Sequence, residues 1–244
     1  MSSQIKREVR KRCGFGCVVC GMPLYEYHHM EEWSKVKAHV ANDITLLCDF
    51  HHKQVSNNLL DCQKVIDANT CPYNMANGIS GKMPISYSGN KCKIVMGSNS
   101  WEAELKSEED YLHAIMVNGV NILGFRIEDS HLLISLNMFD RLNNRVLEII
   151  DNELCYCIHR WDIELIKNRL TIFNSQKEKA IAIMFNPPSE IILVNANIYC
   201  DGYRISTNEG IVNIAKEEML FSAYENNISV GSKVGICIGE KKGV

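Results

Sequence analysis

The chain's 244 residues can bury a sizeable core, and they accommodate a small module joined to a larger domain, which is the expected arrangement. A hydrophobic content of 46% with 23% charged residues is an ordinary globular composition, and no apolar run approaches the roughly 20 residues a membrane span needs, so no membrane partner is expected. The formal charge of −3 excludes a generally basic protein, although residues 1–60 hold 8 Lys and Arg against 6 Asp and Glu.

Residues 2–12 have helix-forming composition and end at the glycines Gly14 and Gly16. The same stretch carries a basic prong of Lys6, Arg7, Arg10, Lys11 and Arg12, with no apolar segment behind it of the kind a secretory signal has, so a cytoplasmic location is expected. "CVVCGMPLYEYHHM" follows, with a Gly-Met-Pro turn between two short β-compatible pieces, then "NDITLLC", then "HHKQVSNNLLDCQKVIDAN" with helical content. The outline is a turn-rich hairpin followed by a helix, a ββα arrangement over residues 1–66.

Residues 67–91 are dense in Asn, Gly, Ser and Pro and read as a linker or irregular segment. From 92 to 244 the chain changes to short apolar or alternating runs at about ten-residue spacing, which predicts a β-rich domain, a sandwich or a solenoid-like stack. One helix is expected within it, over 107–118, where Ser107 is followed by acidic residues. The fold class is therefore α+β: a small module followed by a β-rich domain.

Eleven cysteines in a chain expected to be cytosolic point to metal rather than disulfides wherever they cluster. Cys17-x-x-Cys20 and Cys48-x-x-His51 form two knuckles with 27 residues between them, a set that suits tetrahedral Zn2+ bound by three thiolates and an imidazole. Cys62, Cys71, Cys92, Cys200 and Cys237 are scattered and read as small buried hydrophobes, while Cys155 and Cys157 would share a strand face as packing residues. With His51 on zinc, His28, His29 and His52 remain. His39 reads as a satisfied or solvent-facing loop residue, and Trp33, Trp161, Asp162 and Arg204 read as packing or turn residues.

"CVVCG", "YHHM", "NDITLLC" and "CDFHHK", in this order and spacing, resemble the zinc-containing form of the HNH endonuclease family, a ββα-metal nuclease module, over about residues 5–62. The resemblance implies a hydrolase that cuts phosphodiester bonds in DNA, with His28 and His52 holding a catalytic Mg2+, Mn2+ or Ni2+ ion and His29 as the general base. It places either Asn42 or Asp43 as the middle residue of the motif, because Asp43 stands where an Asn is usual and Asn42 one position earlier. The basic prong would grip DNA phosphates without reading sequence. The β-rich domain would supply target recognition, regulation or assembly into a homo-oligomer, and restriction or phage defence is a setting the resemblance suggests. The alternative is a zinc-stabilised nucleic-acid-binding module without catalysis.

Overall fold

The computed structural model describes residues 1–31, 37–155, 162–174, 178–208, 210–223 and 227–239. Trp33, Trp161 and Cys157 lie outside the described residues. The chain divides into two compact units, one of Met1–Met83 with Glu153–Ile163, the other of Pro84–Asn152 with Glu164–Val244. Both helix and strand are present, with strand dominant.

In the first unit, helix α1 (Ser3–Arg12) starts where the Ser2 hydroxyl accepts from the Ile5 N–H at 3.3 Å. It ends before Gly14, whose positive φ of 67° suits the turn and whose missing Cβ leaves room for Asn74, since a Cβ there would lie 2.9 Å from that side chain. The first knuckle then folds back, with Gly21 N–H donating to the Cys17 carbonyl at 2.7 Å and Val18 N–H donating to the Leu46 carbonyl at 3.0 Å.

Strand β1 (Glu26–His29) pairs antiparallel with β2 (Ile44–Leu47), His28 opposite Thr45 and His29 opposite Ile44. All four residues of β2 are buried, and Ile44, Leu46 and Leu47 join Val9, Cys13, Val18, Val55 and Val65 in one apolar cluster. Helix α2 (Asp49–Ser56) begins directly after β2, with Cys48 at its N-cap, so the second knuckle is the first turn of a helix.

Helix α3 (Cys62–Thr70) follows, its start capped by the Asp61 carboxylate accepting from Gln63 N–H at 3.0 Å. A short helix α4 (Tyr73–Asn77) comes next, preceded by Pro72 and closed by Gly78 in the left-handed conformation. Residues 67–77 are thus largely helical, where the composition predicts an irregular segment. Asn74 is buried and donates to the Gly14 carbonyl at 2.7 Å, which ties α4 to the end of α1.

The second unit is built mainly from consecutive antiparallel hairpins in a large sheet. Its long strand Glu190–Cys200 pairs antiparallel with Lys179–Asn186 and Tyr203–Asn208, and parallel with Lys91–Met96. The segment read as a helix over 107–118 is instead a turn followed by the strand Leu112–Val117. Asp110 accepts from the Lys106 N–H at 2.7 Å, so the acids after Ser107 close a turn rather than start a helix. Leu112, Ala114, Ile115 and Val117 are buried in the sheet.

Candidate metal centre

The knuckles converge. The ligand atoms of Cys17, Cys20, Cys48 and His51 all lie within 4.8 Å of one another, and among the described residues this is the one group of three or more metal-ligating side chains so gathered. Thiolates held at about 2.3 Å from a tetrahedral ion stand roughly 3.8 Å apart, and the Cys20 and Cys48 sulfurs are 3.8 Å apart. The His51 Nδ1 is 3.5 Å from the Cys17 sulfur and 3.2 Å from that of Cys48. The donor set of three sulfurs and one nitrogen and its spacing fit Zn2+, and no disulfide competes, since the cysteines are free.

Electrostatics reinforce the fit. A hydrogen bond from Cys20 pulls the Cys17 thiol down to about 4, while that same bond and burial push the Cys20 thiol up. Ionising both the Cys17 and Cys20 thiols is therefore unfavourable on their own, and a bound cation would offset that charge.

The two histidine doublets are divided by the elements that carry them. On β1, alternate residues face opposite ways, so Glu26 and His28 share one face and Tyr27 and His29 the other. On α2, His51 points to the sulfurs, whereas His52 meets His28 edge to face with ring centroids 5.1 Å apart. The His52 Nδ1 is 3.7 Å from the Glu26 carboxylate. His28 is held down to about 4, first by burial and then by the charges of His52 and His29, so its imidazole is neutral and able to donate a lone pair at neutral pH.

His29 contacts another imidazole. Its Nε2 lies 3.2 Å from the Nδ1 of His39, which is exposed as expected for a loop histidine. The single turn Ala41–Asp43 leads directly into β2. The Asp43 carbonyl accepts from Met30 N–H at 2.8 Å, whereas Asn42 is exposed with its side-chain oxygen 3.5 Å from Arg12.

No protein-family model matches the chain, and neither does any curated protein or solved structure. The likeness to HNH nucleases rests on the motifs alone. No helix among the described residues is long and apolar enough to cross a membrane.

The basic prong is not presented as one surface. Arg10 is buried, at 5% exposure, and its guanidinium donates to both carboxylate oxygens of Asp162 at 3.0 and 2.7 Å and to the Tyr27 hydroxyl at 2.7 Å. Arg12 donates to the carbonyls of Ala41, at 2.7 Å, and Ile44, clamping the turn that leads into β2. Arg7 lies 3.7 Å from Asp162. An amphipathic α1 must bury part of every turn: Arg10 is buried, Arg7 and Arg12 are half-buried beside acceptors, and Lys6 and Lys11 are the exposed cations.

Of the scattered cysteines, Cys92 and Cys200 are buried as expected, whereas Cys62, Cys71 and Cys237 are exposed. The composition identified neither Glu26 nor Asp162 as a partner. Strand alternation from His28 is a signal for Glu26. Asp162 lies 152 residues from Arg10, and no local pattern links them.

Proposed function

We propose that the first unit is a metal-dependent endonuclease of the HNH type that hydrolyses phosphodiester bonds in DNA. The observation that carries this reading is the pairing of His28 with His52, each one residue from a neighbour committed elsewhere, on a strand and a helix of the unit that also holds the Cys3His cluster. His28 and His52 would hold a catalytic Mg2+, Mn2+ or Ni2+ ion, which when bound stabilises negative charge on the phosphate and on the departing O3′.

His29 accepts a proton from the attacking water, for which a neutral imidazole is suited near pH 7. Glu26, whose carboxylate lies 3.7 Å from the His52 Nδ1, would orient that ring on closing to hydrogen-bond distance. Of the two candidates for the middle motif residue, Asp43 acts through its carbonyl, which fixes Met30 and with it the end of β1 that bears His29. Lys6 and Lys11 are the cations of α1 available to backbone phosphates. The strand-rich unit would select targets, assemble copies of the chain or regulate cutting, in a restriction or phage-defence setting.

A non-catalytic nucleic-acid-binding module is the second reading, favoured by the exposed, nuclease-atypical position of Asn42. Incubating the protein with supercoiled plasmid and Mg2+, Mn2+ or Ni2+, with and without EDTA, separates the two. Chelator-sensitive nicking supports the nuclease, and binding without nicking on every DNA form supports the second reading.

A further inference from the structure

We propose that His29 and His39 form an additional transition-metal site, distinct from the Cys3His cluster and from the His28–His52 pair, and that Zn2+ bound there silences the nuclease. The facing nitrogens, Nε2 of His29 and Nδ1 of His39, are 3.2 Å apart, and the ring centroids are 5.3 Å apart. Imidazole nitrogens bound at about 2.0–2.1 Å to one tetrahedral or octahedral ion are separated by roughly 2.9–3.4 Å. The same fold provides an internal standard: within the Cys3His cluster, His51 stands 3.2 Å from the Cys48 sulfur and 3.5 Å from that of Cys17. The His29–His39 nitrogens are as closely spaced as the donor atoms of that ligand set.

Strand alternation makes the site separate. His29 leaves β1 on the face opposite to His28, and His39 is exposed on the connection between β1 and β2, so the pair is reachable from solvent. Two imidazoles with water completing the shell prefer Zn2+, Ni2+ or Cu2+ to Mg2+, which demands oxygen ligands. The inhibitory part rests on the reading of His29 as the base: an ion on its Nε2 occupies the lone pair that would take the proton from water. A cell-level consequence is cutting supported by a hard cation and arrested by excess of a softer one.

Calorimetric titration of zinc-loaded full-length protein with Ni2+ tests the site independently of catalysis. The His28→Ala/His52→Ala double variant is expected to bind one Ni2+ beyond the structural ion, and adding His39→Ala is expected to remove that binding. Identical isotherms for the double and triple variants would overturn the site. In a second arm, Zn2+ added to Mn2+-supported plasmid nicking is expected to inhibit the wild-type chain, and His39→Ala is expected to need roughly tenfold more Zn2+ or higher for the same inhibition. Equal inhibition of both proteins, or loss of nicking on His39→Ala alone, would overturn the inhibitory role. Absence of nicking by the wild type under every cation defeats the nuclease reading and the inhibitory role with it, while the calorimetry still decides whether the metal site exists.

Discussion

The imidazole of His28 on β1 meets that of His52 on α2 edge to face, with centroids 5.1 Å apart. The pairing follows from two periodicities acting together. Strand alternation turns His28 away from His29, and the helical advance of about 100° per residue turns His52 away from the zinc-facing His51. Replacing either His28 or His52 with Ala is expected to weaken Mn2+ binding to zinc-loaded protein by roughly tenfold or more, measured by calorimetry. An unchanged affinity in both variants would remove this pair as the ion's holder.

The Cys3His cluster ties the Cys17–Cys20 knuckle to the first turn of α2, and the apolar cluster around β2 is small for the number of residues it must order. Cys20→Ser, or prolonged chelation of the wild-type chain, is expected to release one zinc and to open residues 1–83 to limited proteolysis. Retention of protease resistance after zinc loss would show that packing alone holds the unit.

Arg10 and Asp162 form a bidentate ion pair with side-chain exposures of 6% and 8%. Removing one member leaves the other buried and charged, so Arg10→Ala is expected to cost about 3–5 kcal/mol of stability, read from denaturant midpoints. Lys11→Ala should stay within about 0.5 kcal/mol while lowering the salt dependence of DNA binding by about one counterion. A large stability loss at Lys11, or none at Arg10, would reverse the assignment of structural and surface cations on α1.

His28 gives stability a pH dependence whose sign is set by its depressed pKa. The unfolded imidazole titrates near 6.5, and burial, with the charges of His52 and His29, holds the folded one down to about 4. Between those values the unfolded chain binds a proton that the folded chain does not, so stability falls as pH drops from about 6.5 to about 4 and gains nothing further from this group above that window. His28→Gln carries no such proton and should lose less stability than the wild type between pH 7 and pH 5, measured by urea unfolding without added catalytic ion. Parallel losses in the two proteins would refute this role.

Much of the first unit was legible because its signals are local. Ser2 and the glycines Gly14 and Gly16 bracket α1, and the knuckle spacing announces the metal cluster that the structure gathers. Helix α4 was obscured by its Asn-rich composition, although Pro72 before it and Gly78 after it are the punctuation of a short helix. The strand Leu112–Val117 is hidden in the sequence because Ser107 and its acids resemble a helix start, while the deciding interaction is burial among neighbouring strands. The inward turn of Arg10 depends on Asp162, far along the chain, and composition could not distinguish that arginine from the exposed Lys11. The contact between His29 and His39 joins residues ten positions apart, and no local pattern signals it.

The central claim is that His29 acts on water while the zinc cluster merely holds the framework. Metal-dependent nicking of supercoiled plasmid by His29→Ala, compared with the wild type at equal zinc content and equal thermal stability, tests it most directly. The account predicts loss of nicking by roughly two orders of magnitude or more with zinc and fold intact. Wild-type nicking rates in a fully zinc-loaded, folded His29→Ala would contradict it.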